Sequence, residues 1–203
     1  MRRNEFNIAD RDRINRFLLS QSSGLLTVAS ETAPYSVPMN FAWDGEMIMM
    51  HSAPEGKKVP LLKAGKQGQF TVYKEYSIIP SFYSQSREAC NATQFFISVM
   101  IFGPTGELTD PAEKAHALNS LMNQVQGKGT FPPLSADNPG MLKMLNHVGV
   151  FFLKAESITA KFKAGQNLSD ERADEIIESL FNRGTPLDIE TIELMQEMRR
   201  KIS

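Results

Sequence analysis

The residues best suited to chemistry lie in one short segment, HSAPEGKK, at positions 51–58. It follows the apolar run MIMM, so a strand is predicted to end at His51 and Ser52 and to place an imidazole and a hydroxyl at its tip. After a glycine that permits a close turn, Lys57 and Lys58 stand where a helix should begin. Because a helix start carries unpaired N–H groups and a partial positive charge, this arrangement suits a phosphate. Judged alone, the two lysines are more typical of an ordinary solvated surface.

A second segment, YSVPMN at positions 35–40, is predicted to lie beside the first. The dipeptide Asp44-Gly45 joins the two apolar runs and is a strong hairpin signal, because both positions tolerate a positive φ. Pro38 cannot donate to a ladder, so it belongs at an edge, a bulge or an opening of the sheet. We therefore expect the neighbouring backbone groups and the Asn40 amide to be free to face a ligand.

The apolar periodicity predicts a β-rich chain with a few short helices. The predicted strands cover residues 24–29, 35–43, 47–52, 69–74, 95–102 and 147–155, and the predicted helices cover residues 10–20, 110–125, 169–184 and 188–200, with a further short helix after residue 57. The segment GPTG at 103–106 is predicted to break or bend the chain, since its glycine spacing is wrong for a dinucleotide fingerprint. About six strands, joined mostly by hairpins, favour a small antiparallel barrel over a doubly wound sheet.

Size, charge and cysteine content narrow the classes of function. The 203 residues suffice for one well-cored domain with a helical appendage. With 22 basic and 23 acidic residues the net charge is −1, so no global field attracts nucleic acid or an anionic membrane. No secretory signal or membrane-spanning apolar run is recognisable, so a cytoplasmic protein is expected. The single Cys90 excludes an intramolecular disulfide and a zinc site of paired CxxC motifs, and no metal site is predicted.

Four segments together carry a resemblance to a known family. They are PYSVPMNFAWDG (34–45), HSAPEGKK (51–58), ISVMIFGPTGELTDPAEKAHAL (97–118) and ITAKFKAGQN (158–167). With these segments in this order, over roughly residues 1–182, the chain resembles the pyridoxamine 5'-phosphate oxidase-related FMN-binding split-barrel proteins, and among them the branch of the 5-nitroimidazole-resistance proteins. The resemblance implies a mainly β (α+β) fold, a six-stranded antiparallel split β-barrel with short flanking helices. It also implies an FMN-binding domain at residues 1–167 and a C-terminal helical extension at residues 168–203, packed on the barrel or on a dimer partner.

The same resemblance implies a cofactor, FMN, bound across the split barrel at a homodimer interface. The implied cofactor-binding residues are Val37, Pro38, Met39, Asn40, His51, Ser52, Lys57, Lys58, Ser98, Lys161 and Gln166. Residues 38–40 would lie along the isoalloxazine, and the lysine pair would hold the phosphate. His51 is also a candidate for a catalytic proton donor or acceptor, because an imidazole titrates near neutral pH.

The predicted function is that of an FMN-dependent oxidoreductase that passes electrons from NADH or NADPH to a small oxidant such as a nitroaromatic or a quinone. Vitamin B6 oxidation is not expected, because the tryptophan- and arginine-rich C-terminal segment of the true pyridoxamine phosphate oxidases has no counterpart in DIETIELMQEMRRKIS. Two alternatives stay open: a flavin-binding module that stores, senses or regulates without turnover, and a haem-binding barrel with His51, His116 or His147 as axial ligand. The long segment 75–92 either covers the flavin or is a surface loop.

Overall fold

Six α-helices occur in the computed structural model of the protein, which describes residues 3–84 and 87–200. They are α1 (Arg11–Leu19), α2 (Lys58–Lys63), α3 (Pro111–Gln126), α4 (Pro139–His147), α5 (Asp170–Arg183) and α6 (Pro186–Arg199). The side chains of Asp10, Asp110 and Ser169 accept hydrogen bonds from the first turns of α1, α3 and α5. The helices predicted at these three places are confirmed. No helix in the described ranges is both long and apolar enough to span a membrane.

Eight strands occur in the same described ranges. They are β1 (Ser23–Val28), β2 (Tyr35–Asn40), β3 (Ala42–Trp43), β4 (Met47–Ser52), β5 (Gln67–Ile79), β6 (Thr93–Leu108), β7 (Gly149–Lys154) and β8 (Ser157–Lys163). Their order in the sheet is β2-β1-β5-β6-β7-β4-β3, and β8 pairs with β6. The ladders β1–β2, β1–β5, β3–β4, β4–β7 and β6–β7 are all antiparallel. The predicted class, a mainly antiparallel β fold with flanking helices, is confirmed, with eight strands in place of six.

The differences in strand number have local causes. The predicted strand at 35–43 is divided at Phe41 into β2 and β3, which take different ladder partners. The prediction omits β8, and it ends β5 at residue 74 although the strand continues to Ile79. Residues 75–79 of the segment predicted as a loop are therefore strand. Of the remainder of that segment, residues 85 and 86 lie outside the described residues.

The segment GPTG at 103–106 lies inside β6, so a break of the strand there is wrong, and a bend stays a prediction. Gly103 is where another part of the chain approaches, since a Cβ built there would lie 1.7 Å from the carbonyl oxygen of Lys154. The backbone N–H of Thr105 donates to the carbonyl of Lys66 at 3.0 Å, so the backbone of this segment is hydrogen-bonded to a neighbouring part of the chain. These glycines serve close strand contact rather than a turn.

The chain forms two compact units, each built from separate stretches of sequence. Within the described residues, unit 1 comes from the ranges 1–9, 73–98 and 160–203, and unit 2 comes from the ranges 10–72 and 99–159. In unit 2 the small apolar residues of α3 pack against β3, β4 and β7, and form a core with Ala42, Met49, Leu145 and Val150. In unit 1 α5 and α6 pack on each other. The predicted division at residue 167 stays a prediction.

A buried carboxylate organises the C-terminal helices of unit 1. Asp188, with no solvent exposure, accepts hydrogen bonds from the Ser77 hydroxyl at 2.5 Å, from Arg183 Nε at 2.9 Å and from the Thr185 backbone N–H at 3.0 Å. Asp188 also completes a capping box with Thr185 at the start of α6. The Arg183 guanidinium, followed by the Ser77 and Thr185 hydrogen bonds, holds the pKa of the Asp188 carboxyl well below its ordinary value of 3.8. This carboxylate therefore joins α5, α6 and β5.

Replacing Asp188 by Asn is expected to lower the free energy of unfolding by about 2–3 kcal/mol near neutral pH, because a buried charge and its hydrogen bonds are lost. A carboxyl whose pKa is depressed by folding contributes stability above its unfolded pKa and loses that contribution as the pH falls. The difference between the natural protein and D188N should therefore be full above about pH 4 and shrink below it. Urea unfolding at pH 7 and at pH 3 measures both values. Asp174→Asn, in an exposed pair with Arg199 on the same helices, is the control and should cost less than about 1 kcal/mol.

Candidate functional site

The Asp44-Gly45 turn forms as predicted, but it joins β4 to the short strand β3. The Asp44 carboxylate accepts hydrogen bonds from two backbone N–H groups of the turn, each at 2.8 Å, and Gly45 has a φ of 105°. The ladder that follows joins β3 and β4 over two residue pairs. The predicted side-by-side pairing of residues 35–40 with β4 is wrong, because β2 takes β1 as its ladder partner. Phe41, which belongs to neither strand, separates the two pairings.

Strand β2 is the first strand in the sheet order, a position that tolerates a proline. Pro38 lies opposite Leu25 and is exposed, Met39 is buried and Val37 is half-buried, so the predicted alternation is present. The Asn40 amide is not free, contrary to the prediction, because its Nδ2 donates to the carbonyl of Ser22 at 2.9 Å. A ligand at this strand would meet the exposed edge around Pro38 first.

An open groove of about 670 Å³ lies at the end of β4 in unit 2. It is lined by His51, Ser52, Ala53, Pro54, Gly140, Lys143, Met144, His147 and Val148. The Ser52 hydroxyl donates to the neighbouring Ala53 carbonyl at 2.8 Å, and His147 Nδ1 lies 2.7 Å from the Lys143 carbonyl oxygen. Although two histidines line the groove, no group of three or more metal-ligating side chains is present in residues 3–84 and 87–200. The groove size is that of a small-molecule site.

Sequence reasoning missed the α4 side of this groove, because residues 126–146 are rich in Gly and Pro and no helix was predicted there. The sequence does contain a signal for this helix. The Asn138 side chain accepts hydrogen bonds from the backbone N–H groups of Gly140 and Met141 at 3.0 and 3.2 Å, and Pro139 follows as the first helical residue. This start has the same form as the correctly predicted Asp110-Pro111 start of α3.

Lys57 and Lys58 stand at the start of α2, as predicted, after Gly56 with a φ of 118°. The helix is only six residues long, so its own dipole contributes little, and the lysine charges dominate the local field. Lys57 Nζ lies 5.2 Å from the centroid of the Tyr35 ring at the beginning of β2. In the part of the chain that is described, neither lysine forms an ion pair with an acidic side chain. The structure thus brings the side chain of Lys57, which has no acidic partner among the described residues, to the beginning of β2.

Three of the predicted site residues, Ser98, Lys161 and Gln166, belong to unit 1. Ser98 is half-buried in β6. Lys161 Nζ lies over two phenylalanine rings of unit 1, at 5.8 and 5.2 Å from their centroids. Both ends of the Gln166 amide bond to the backbone of preceding residues, at 2.8 and 2.6 Å. Gln166 therefore holds its own turn, and its contact with a flavin stays a prediction.

A match to a family of known proteins identifies the fold. A family model described as pyridoxamine 5'-phosphate oxidase matches residues 10–161. The chain belongs to this family. The matched range includes every predicted site residue except Gln166. No curated protein matches the chain.

Several solved structures are similar to this member of the pyridoxamine 5'-phosphate oxidase family, among them the following three. One, from Bacteroides thetaiotaomicron and named for 5-nitroimidazole antibiotic resistance, has a TM-score of 0.62 and 25% identity, covering 76% of this chain and 85% of that chain. A flavocytochrome from Azotobacter vinelandii has a TM-score of 0.66 and 20% identity, with coverages of 83% and 74%. An FAD- and haem-binding protein from Mycobacterium smegmatis has a TM-score of 0.66 and 15% identity, with coverages of 83% and 78%. The last two, at their lower identities, show a shared fold alone.

Proposed function

We propose that this chain binds FMN and acts as an oxidoreductase that passes electrons from NADH or NADPH to a small oxidant such as a nitroaromatic or a quinone. Membership of the pyridoxamine 5'-phosphate oxidase family and the likeness to a protein named for 5-nitroimidazole resistance support this function. The observation that carries the proposal is the 5.2 Å approach of Lys57 Nζ to the Tyr35 ring. It brings Lys57, one of the two proposed phosphate-binding lysines, to the beginning of β2, the strand proposed to lie along the flavin ring.

The side chains at the start of α2 fit a phosphate group. Lys57 is exposed and Lys58 half-buried, and neither has an acidic partner among residues 3–84 and 87–200, so a bound anion would not displace an existing ion pair. Gly56 has a positive φ, which a residue with a side chain would adopt only with backbone strain. The space beside its Cα is open, because no atom would lie within 4 Å of a Cβ built there. A phosphate can therefore approach this turn from solvent.

When bound, FMN would supply the hydride and electron-transfer chemistry. Lys57 and Lys58 would hold the phosphate by charge, and Ser52 would donate its hydroxyl hydrogen to a phosphate oxygen after leaving the Ala53 carbonyl. The exposed edge of β2 at Pro38 would orient the ring. His51, exposed at the end of β4, is the proposed proton donor or acceptor.

An anaerobic titration tests this function. The purified protein is loaded with FMN, NADH or NADPH is added, and the flavin absorbance near about 450 nm is followed. We expect bleaching by one of the two donors and its reversal by a nitroaromatic or a quinone. Heat-denatured protein with the same FMN content is the control for free flavin. A flavin that stays oxidised with both donors would contradict turnover and leave the flavin-binding module as the function.

A second candidate function, haem binding, is favoured by one observation. His51 and His147 line the same groove together with Met144, and histidine and methionine are both axial ligands of haem iron. Two of the similar structures, a flavocytochrome and an FAD- and haem-binding protein, are named for haem as well as flavin. Absorbance after reconstitution separates the candidates, because haem absorbs strongly near about 400 nm and flavin near about 450 nm. His147→Ala should remove haem binding and leave flavin binding unchanged.

The proposed assembly is a homodimer with FMN at the interface. Several large apolar side chains of the described residues are exposed, with exposed fractions of 43% for Leu25, 52% for Tyr73, 57% for Ile78 and 69% for Phe181. Burying such surface stabilises an interface by about 25 cal/mol per Å². Light scattering of the flavin-loaded protein should therefore give twice the chain mass of 22.7 kDa. A flavin-loaded monomer would contradict this assembly.

A further inference from the structure

Unit 1 contains a cavity of about 490 Å³ whose charged lining is entirely basic. We call it the cationic cavity. Its lining comes mainly from the segment before α1, from β6, β8 and α5, and from the connection between β5 and β6. It includes Arg3, Thr93, Phe96, Lys161, Lys163 and Arg172. No aspartate or glutamate is among the residues that line it. A volume of this size accommodates a small organic molecule.

The positive charges of the cationic cavity are poorly compensated. Arg172 forms an ion pair with Glu175 at 2.7 Å, whereas Arg3, Lys161 and Lys163 form none with an acidic side chain of the described chain. Burial, and then the charges of Lys161 and Arg3, lower the pKa of the Lys163 ammonium. Lys163 has a neutral partner, the Thr93 hydroxyl, to which it donates. Folding therefore holds three like charges together against their repulsion, a cost that a bound anion would remove.

The uncharged lining indicates the rest of the ligand. Asn91, Asn167 and Ser84 supply amide and hydroxyl groups, while Phe95, Phe96 and Ile176 supply apolar surface. The ring of Phe96 is half-buried and Lys161 Nζ lies 5.2 Å from its centroid, so the cation and the ring are fixed side by side. Such a mixed lining suits a carbon skeleton with charged ends rather than a single inorganic ion.

We propose that the cationic cavity binds a small organic polyanion, with carboxylate or phosphate groups held by Arg3, Lys161 and Lys163. The resemblance described above implies a flavin contact for Lys161 and none for Arg3 or Lys163, so competition between the anion and FMN decides whether the cationic cavity and the flavin site share Lys161. The proposal does not rest on flavin binding, because the cavity and its charges are complete within unit 1. The ligand would be a substrate, product or effector that carries at least two negative charges.

Calorimetric titration of the full-length, FMN-loaded protein tests the cavity, with the protein free of added FMN as the second sample. The probes are citrate, a tricarboxylate, and phenyl phosphate, an aryl phosphate; glycerol is the neutral control. We expect one saturable site per chain for at least one of the two anions at concentrations up to about 1 mM. Binding of citrate alone or of phenyl phosphate alone supports the proposal and identifies the acidic group. If neither citrate nor phenyl phosphate binds saturably, the proposal is wrong.

Lys163→Gln is the decisive variant, with Lys128→Gln as the matched control. Lys128 is exposed in the loop between α3 and α4 and is not among the residues that line the cavity, so its replacement makes the same charge change without altering the lining. K163Q should bind the anion about tenfold more weakly or worse, and K128Q should bind it unchanged. Because Lys163 is repelled by its neighbours, K163Q should unfold at a temperature no lower than the natural protein in the absence of ligand. A structural role for Lys163 would instead lower that temperature.

Two further results would overturn the proposal. Equal anion affinity in the natural protein and in K163Q would show that the anion binds elsewhere. If FMN displaces the bound anion and the anion displaces FMN, the cationic cavity is part of the flavin site. Failure of FMN binding leaves the test intact, since the titration of the flavin-free protein reports on the cavity by itself.

Discussion

Replacing Lys57 and Lys58 together by Gln is expected to lower the affinity for FMN by about 100-fold or more. Each lysine is proposed to make a charge-assisted hydrogen bond to the phosphate, and such bonds contribute about 1.5–3 kcal/mol each. Neither lysine supports the fold through an ion pair in the described residues, so the protein should remain folded. Quenching of flavin fluorescence on titration with the protein measures the affinity.

Riboflavin lacks the phosphate, so comparing it with FMN isolates the contact between the two lysines and the phosphate. The natural protein should prefer FMN to riboflavin, and the double variant should lose that preference while its affinity for riboflavin stays the same. The double replacement of Lys66 and Lys154 by Gln is the matched control, because both lysines are exposed in unit 2 and the net charge changes equally. An unchanged preference for FMN in K57Q/K58Q would show that the phosphate is held elsewhere. FAD in the same titration shows whether a larger flavin is accepted.

Replacing Gly103 by Ala is expected to lower the free energy of unfolding by more than about 4 kcal/mol, a range reserved for clashes and similar defects in a core. The added methyl carbon would lie 1.7 Å from the Lys154 carbonyl oxygen and 2.9 Å from its carbonyl carbon. The obstacle is backbone rather than a flexible side chain, so the strands must separate. Thermal unfolding followed by circular dichroism measures the loss.

Gly140→Ala is the matched control for this glycine. Gly140 lies in the first turn of α4, and its added Cβ would meet only the Asn138 side-chain oxygen, at 3.3 Å. Since alanine favours a helix over glycine by about 1 kcal/mol, this variant should be as stable as the natural protein or slightly more stable. A stability of G103A within about 1 kcal/mol of the natural protein would mean that the two backbones are not held at this separation.

Helix starts and strand faces were predictable because their causes lie within a few residues. A cap such as Asp110 bonds to backbone groups two and three residues ahead, and the same rule, applied to Asn138-Pro139, would have found α4. The burial of alternate residues in β2 also follows directly from its sequence. The polar ends of these elements, including the His51-Ser52 tip and the lysine pair, were placed correctly for the same reason.

Two of the contacts expected at the candidate site could not be predicted from the sequence. The Asn40 amide, expected to be free, is bonded to Ser22, and Gln166 holds its own turn, because both amides found backbone partners. The α4 side of the groove at His51 depends on how α4 packs against β4, and this packing cannot be predicted from a local sequence pattern. The cationic cavity likewise gathers residues from both ends of the chain, so no single motif contains it.

The sequence by itself determined the class of fold, most helix starts, the burial pattern of the strands and the family to which the chain belongs. Only the tertiary structure decided which strands pair, that GPTG continues β6, and which charges remain uncompensated. The physical reason is the range of the interactions. Caps and alternation act between neighbours in sequence, whereas the contact of Gly103 with Lys154 and the repulsion felt by Lys163 arise between residues that are brought together only by folding.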